Sequence, residues 1–186
     1  MEVMEAIRER RAVREFSERL VERADIERLI GAAVAAPSAM NLQPWAFAVL
    51  SGRERLAQLG AQAKSWAKDN MDPEGREPRL RAMIEDVQFK FFYNAPALVL
   101  VCATSRESQA IEDCCLAAQN LMLAARNLEL GTCWIGLARP WLDLPATKGG
   151  LGLPGSWAVV APIILGHPSS WPAAHERRAP EVRWLL

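Results

Sequence analysis

The stretch Leu98-Val99-Leu100-Val101-Cys102, followed across a polar connection by Ile111-Glu112-Asp113-Cys114-Cys115-Leu116-Ala117-Ala118-Gln119-Asn120-Leu121-Met122-Leu123-Ala124-Ala125, decides the fold class. The first five residues are an unbroken apolar run, the pattern of a strand covered on both faces. In the second segment Ile111, Cys114, Cys115, Ala118, Leu121, Met122 and Ala125 trace one stripe at helical spacing. Nearly every turn of this helix is apolar or small, so it is expected to be central and deeply packed, with Gly131 placed to stop it. A buried strand beside a buried helix needs a layered arrangement, and the predominance of helices over a few apolar strands makes it an α+β sandwich.

On the N-terminal side, Val3, Met4 and Ile7 predict an amphipathic helix over residues 2–10. A second helix starts near Asp25 as N-cap, carries Ile26, Leu29, Ile30 and Ala33, and ends at Pro37. Trp45 to Leu50 reads as a strand. Leu56, Leu59, Ala63 and Trp66 mark a third helix, which gives way to the polar loop Asn70–Gly75, and Leu80, Met83, Ile84 and Val87 mark a fourth. On the C-terminal side, Thr132 to Ile135 is a short strand or turn. Val159 to Leu165 is a strand whose Pro162 asks for an edge position or a bulge. Lys148 to Gly155 is glycine-rich and reads as a flexible loop; its lysine precedes the glycines, so it is no phosphate-binding P-loop. The tail 167–186 contains Pro168, Pro172 and Pro180 and should run extended, over this chain or a partner. Nothing marks a linker, so residues 1–186 read as a single domain.

Composition narrows the function. The 186 residues are 51% apolar and balance 22 Lys+Arg against 22 Asp+Glu, which argues against nucleic acid or an anionic membrane as partner, since both favour a basic excess. No apolar run is long enough for a transmembrane helix. The acidic start Met1–Glu5 lacks a signal-peptide layout, so a cytoplasmic location is expected. The four cysteines contain no CxxC pair, and the two histidines, His167 and His175, stand in a proline-rich tail; no metal site can be drawn from these spacings.

Two constellations carry chemistry. Arg10, Arg11 and Arg14 cluster at the end of the first helix, and Arg10 and Arg14 are i, i+4 neighbours able to converge on one anion. The plain alternative is a solvated face, because residues 1–28 hold seven Arg against eight Asp+Glu. The second is Ala36-Pro37-Ser38-Ala39-Met40-Asn41-Leu42-Gln43-Pro44-Trp45, where two prolines enclose a hydroxyl, two amides and a tryptophan. Such a loop suits a flat polar heterocycle with a polyol chain, or is an ordinary capped turn.

Arg10–Phe16 and Ala36–Trp45 together resemble the opening signature of the FMN-dependent nitroreductase family. Asn94-Ala95-Pro96, Gln119-Asn120, Gly131–Gly136, Leu165–Pro168 and Arg177–Pro180 follow in that family's order, so the resemblance spans nearly the whole chain. It implies a central, mostly antiparallel sheet flanked by helices, in a homodimer with one FMN at each of two interface sites. Arg10, Arg11, Arg14 and Arg178 would then hold the phosphate and ribityl end. Pro37, Ser38, Ala39 and Asn41 would approach from the partner subunit, Trp134, Ile135 and Gly136 would lie along the isoalloxazine, and Gln88 would meet its pyrimidine edge. The implied activity is hydride transfer from NADH or NADPH to FMN, then reduction of a small-molecule acceptor such as a nitroaromatic or quinone, in ping-pong order. The cofactor holds that chemistry, so no catalytic side chain is required. The same flavin site could serve dehydrogenation, dehalogenation or flavin breakdown, or belong to a dimer that binds flavin without turnover. Ala12 stands where that family commonly has a hydroxyl residue, and Glu176 where it often has a basic one. Thr104–Gln109 is short where larger members place a helical excursion over the flavin.

Overall fold

The computed structural model describes residues 1–70 and 78–185. Strands β1 (Trp45–Ser51), β2 (Ala97–Ala103), β3 (Gly131–Trp134) and β4 (Ala158–Gly166) form one antiparallel sheet in the order β1-β2-β4-β3. Helices α1 (Val3–Glu9), α2 (Arg23–Ala33), α3 (Arg53–Asn70), α4 (Pro78–Glu85), α5 (Ser108–Asn127), α6 (Arg139–Leu142) and α7 (Pro145–Gly150) surround it. The expected loop beyond Asn70, which ends α3, lies outside the described residues.

β2 explains the layering. Its residues alternate in direction: Ala97, Val99, Val101 and Ala103 pack with α2 and α5, whereas Leu98, Leu100 and Cys102 pack with Leu56 and Ala63 of α3, Ile84 of α4 and Leu142 of α6. Both faces are covered, so the strand is apolar at every position. α5 lies across the first face with Cys114, Ala117, Ala118, Leu121 and Ala125 buried, as its stripe predicts.

Several expectations need correction. The second helix begins at Arg23, with Glu22 at the N-cap; Asp25 lies in the first turn and pairs with Arg28 at 3.3 Å. α5 does not run on to Gly131. Glu129 takes the left-handed conformation (φ 56°), its N–H donates to the Arg126 carbonyl at 3.1 Å, and the Leu130 N–H donates to the Ala125 carbonyl at 2.8 Å. That is a Schellman stop with Glu in the place glycine usually takes. Pro162 sits in the interior strand β4, opposite Leu100, and not at an edge. Nor is it the bulged residue: the β2–β4 register shifts between Val101 and Cys102, which leaves Val160, two positions before Pro162, as the extra residue. The Pro162 carbonyl still accepts the Ile135 N–H at 2.8 Å. α4 stops at Glu85, leaving Val87 exposed.

Lys148 is not in a flexible loop. It lies in α7, buried, with its ammonium donating to the carbonyls of Gly155 (2.7 Å) and Trp157 (2.6 Å) and 3.7 Å from Asp143 Oδ1. The lysine clamps the glycine-rich turn shut. α1 also departs from its expected role: Ala6 is its buried residue, while Val3 (69% exposed), Met4 (60%) and Ile7 face outward. No helix among the described residues is long and apolar enough to cross a membrane.

Candidate functional site

Residues 10–16 run along the outer edge of β3. Ala12 bridges Thr132 in parallel, the Val13 N–H donates to the Thr132 carbonyl at 3.0 Å, and Phe16 bridges Pro168. The close approach depends on Gly131, where a Cβ would stand 2.7 Å from three carbons of the buried Val13 side chain. Docking the backbone there turns the arginines outward. Arg10, Arg11 and Arg14 line a cleft of about 450 Å³ with Glu15, Ser170, Pro172, His175 and Arg177.

These arginines do not pair with their acidic neighbours. Among the described residues Glu9 pairs with Arg126 and Glu18 with Arg53, and although Glu15 lines the cleft, no carboxylate lies within 4.0 Å of the Arg10, Arg11, Arg14 or Arg177 guanidinium. Arg11 is a strut: its guanidinium donates to the carbonyls of Arg8, Arg10 and Ala173, tying the tail to the end of α1. Arg14 lies 5.7 Å over the Tyr93 ring. The positive field reaches into β3, where burial pushes the Cys133 thiol up while Arg14 and Arg10 pull it back down. The tail is held at its base by Arg126, whose guanidinium stacks 4.1 Å from the Trp171 ring and meets Glu9 at 2.5 Å.

β3 leads directly from this edge into Trp134, Ile135 and Gly136. The Ile135 N–H is committed to the Pro162 carbonyl, so the next free-standing amide in the chain is that of Gly136. Gly136 is exposed at the start of a single 3-10 turn, and a Cβ built on it would meet nothing within 4 Å. The space beside it is open to a ligand.

The amide loop lies at the opposite end of the sheet. It leads into β1, and the Thr104 N–H donates to the Pro44 carbonyl at 2.9 Å. Inside the loop the Ser38 Oγ accepts the Gln43 N–H at 3.0 Å, and Asn41 Oδ1 accepts from Gln43 Nε2 at 3.0 Å. Ser38 keeps its hydroxyl proton and Asn41 its amide protons for another partner. Met40, Asn41 and Gln43 all have positive φ (49°, 56° and 50°), a concentration of left-handed non-glycine residues that marks a constrained loop. The loop is anchored by Asp113 of α5, whose carboxylate accepts the Ala39 N–H at 3.3 Å.

The predicted residues thus fall into two groups. Arg10, Arg11, Arg14, Trp134, Ile135 and Gly136 gather at the β3 edge; Pro37, Ser38, Ala39 and Asn41 gather at the β1 edge. From the 12–13 segment through β3, β4 and β2 to β1 is four strand spacings, about 19 Å. Arg178 is exposed and does not line the cleft; its neighbour Arg177 does. Gln88 is exposed beyond α4, with its N–H on Asp86 Oδ1 at 2.9 Å, and is not among the residues of the arginine cleft. The sequence reading passed over His175 as a cleft residue, and Asp113. The latter had a signal: Ala110, Asp113 and Ala117 repeat at i, i+3, i+7, which puts the carboxylate on a buried row of alanines. Among the described residues no three His, Cys, Asp or Glu side chains group as a metal site.

Comparison with known proteins addresses the family and the fold. The family model described as the nitroreductase family matches residues 7–167. A protein of Archaeoglobus fulgidus, provisionally named NADH dehydrogenase/NAD(P)H nitroreductase, is 31% identical over 172 residues, covering 90% of this chain and 86% of its own. A nitroreductase of Bacteroides fragilis, solved with bound FMN, is 27% identical with a TM-score of 0.82, over 100% of this chain and 98% of that one. A nitroreductase of Desulfitobacterium hafniense, 23% identical, shares the fold over the full length of both chains with a TM-score of 0.83. With the arginine edge, the amide loop and the antiparallel α+β sandwich all in place within the matched span, the chain belongs to the nitroreductase family.

Proposed function

We propose that the protein is an FMN-dependent oxidoreductase that works as a homodimer, with NADH or NADPH as reductant and a nitroaromatic, quinone or similar small molecule as acceptor. The observation that carries this reading is the separation of two complementary half-sites on opposite edges of one sheet. One offers guanidiniums without carboxylate partners; the other offers neutral donors on a constrained loop. A second copy of the chain, laying its loop against the first copy's cleft, would complete a site of each kind twice over. The outward-facing Val3, Met4 and Ile7 of α1, with Val34 and Leu116, supply apolar surface for such a contact.

The donor set fits the cofactor. Four guanidiniums against the single carboxylate of Glu15 leave an excess of positive charge in the cleft, and planar guanidinium forks match phosphate oxygens. Arg10, Arg11 and Arg14, with Arg177 and the adjacent Arg178, hold the phosphate and ribityl end. Trp134, Ile135 and Gly136 lie along the ring system, where the open Gly136 leaves room, and Gln88 serves the pyrimidine edge. Pro37, Ser38, Ala39 and Asn41 of the partner subunit add the remaining contacts. FMN, when bound, would supply the redox chemistry, two-electron transfer from the reduced nicotinamide to the acceptor in ping-pong order. The chain's own task is to bind, orient and present positive charge and N–H donors to the ring that gains negative charge. The bound FMN of the Bacteroides fragilis relative and the NAD(P)H in the name of the Archaeoglobus fulgidus one support the same assignment.

The test is a visible spectrum of the purified protein, followed by anaerobic titration with each nicotinamide. Bound flavin that bleaches with NADH or NADPH and recovers with a nitroaromatic or quinone is the expected result. A colourless protein that cannot be reconstituted with FMN would end the flavin reading. A yellow protein that no nicotinamide bleaches would leave a flavin-binding dimer without this turnover.

A further inference from the structure

Asp113 is out of place by the logic of its helix. It is 2% exposed, on a row otherwise made of Ala110 and Ala117, and next to the fully buried Cys114. A helix core is better served there by alanine or leucine, because an ionised carboxylate loses its hydration on burial and needs a strong partner in return. Among the described residues no Lys, Arg or His lies within 4.0 Å of it. What it does touch is the Ala39 N–H, at 3.3 Å to each oxygen, and the Gln109 carboxamide at 3.4 Å.

The loop above it has few other holds. Met40 is 92% exposed and Leu42 also points to solvent, so no large apolar side chain pins the loop from within. Its remaining bonds are internal: Asn41 N–H to the Ser38 carbonyl, Leu42 N–H to the Ala39 carbonyl, and the two made by Gln43. The ends of the loop are seated by buried Ala36 and by the Pro44 carbonyl, which accepts the Thr104 N–H at 2.9 Å and faces Cys114 Sγ at 3.8 Å. The internal bonds alone do not fix where residues 38–43 sit on the body of the protein. Among the described residues, Asp113 is the side chain that joins residues 38–43 to α5. A loop with three left-handed non-glycine residues persists only where the surroundings hold it.

We infer that Asp113 is a positioning residue for the cofactor: its buried carboxylate holds the Ala39 amide and thereby aims the Ser38 hydroxyl and Asn41 carboxamide at acceptor atoms of the flavin bound by the partner subunit. The inference rests on the flavin reading of that loop. Asp113 touches no reacting atom itself. It acts by setting the direction of two donors, and its cost to the helix is explained by that task.

The experiment compares wild type, Asp113→Ala and Asp113→Asn by FMN titration, by visible circular dichroism of the bound flavin, and by thermal unfolding of the apoprotein. Asp113→Ala is expected to weaken FMN at least tenfold and to alter the visible dichroism. Asp113→Asn keeps an oxygen for the Ala39 N–H and should stay within threefold of wild type with its dichroism intact, whatever either change does to Tm. Wild-type FMN affinity and dichroism in Asp113→Ala would overturn the inference, as would an Asp113→Asn variant no better than Asp113→Ala. Should Asp113→Ala fail to fold, amide exchange in the wild-type protein decides. The Ala39 amide is expected to exchange at least tenfold more slowly than that of Met40, and equal rates would remove the anchor. A wild-type protein that takes up no FMN would remove the flavin reading and this inference with it, whereas wild-type uptake with an unaffected Asp113→Ala removes the inference alone.

Discussion

The arginine edge and the amide loop solve opposite problems. At the β3 edge the backbone is regular, docked by a ladder bond and a glycine contact, and the side chains are long, charged and, among the described residues, without carboxylate partners. At the β1 edge the backbone is contorted, the side chains are short and neutral, and one buried carboxylate anchors the turn. Charge acts over a distance and tolerates imprecise placement, whereas a neutral hydrogen bond weakens steeply with misalignment. So the long flexible cations can hang from a simple edge, but the neutral donors need a rigid and locally strained support. The largest test of this contrast attacks the simple edge where it is rigid. Gly131→Ala would drive a methyl group into Val13, and overpacking of this kind costs about 2 kcal/mol. That corresponds to a fall in Tm of roughly 4–8 °C for a chain of this length, accompanied by loss of flavin affinity as residues 12–14 lift from β3. A variant with wild-type Tm and flavin affinity would show that the arginines do not depend on this docking.

The next effect separates charge from geometry. Arg14→Ala removes one charge-assisted contact, worth about 2 kcal/mol, and should weaken FMN by roughly tenfold or more while leaving the apoprotein's Tm nearly unchanged. The loss should shrink as salt is raised, because screening already weakens the exposed guanidinium in the wild type. The penalty from Asp113→Ala should not depend on salt. Titrations at two ionic strengths, with riboflavin as the phosphate-free control, check both halves; equal salt responses would erase the distinction.

The same contrast explains what was readable in the sequence. The arginines and the Pro37–Pro44 segment announced themselves by composition, and β2 and α5 by periodicity, because these features are local. Asp113 was hidden because it stands one residue from the obvious stripe of Ile111, Cys114 and Cys115, where a carboxylate is usually assigned to solvent. Lys148 was hidden for a related reason: its acceptors, the carbonyls of Gly155 and Trp157, exist only once the turn has closed. Glu129 ends α5 in a conformation normally expected of glycine, so Gly131 drew the boundary instead. The stripe of α1 was periodic but faces outward, and periodicity does not say which body covers it. Arg177 and Arg178 are adjacent arginines, and only the path of the tail decides which one enters the cleft.

That path is the subject of a smaller test. Trp171 stacks on Arg126, whose Nε and Nη1 are buried without hydrogen-bond partners among the described residues, so the ring face is their principal neighbour. Trp171→Ala removes a partly desolvated cation–π contact of about 1 kcal/mol and loosens the base of the tail that carries Arg177. FMN should weaken by about threefold to fivefold, mainly through faster release, with little change in Tm. Stopped-flow dissociation checks this; an unchanged release rate would mean that Arg11, through its bond to the Ala173 carbonyl, holds the tail by itself.

The smallest expected effect uses two thiols as reporters of the two regions. Cys114 sits below the amide loop, where burial first and then Cys102, Cys115 and Asp113 all act in one direction, pushing it up to about 12. At Cys133, beside the arginine edge, burial also raises the thiol but Arg14 and Arg10 oppose it. The variants should therefore move the thiols in opposite senses: Asp113→Ala lowers Cys114, and Arg14→Ala raises Cys133. In both folded sites the thiol pKa lies above its unfolded value near 9, so the unfolded chain ionises first. Their contribution to stability is whole below about pH 9 and is lost as pH rises from there toward 12 at Cys114. The window at Cys133 opens at the same pH, and Arg14→Ala should widen it. Site-resolved alkylation rates between about pH 8 and 10.5, read by peptide mass spectrometry, report each thiol separately. Unshifted thiols in both variants would show that burial alone sets them, and shifts of the same sign would show that the fields of the two regions do not differ in sign.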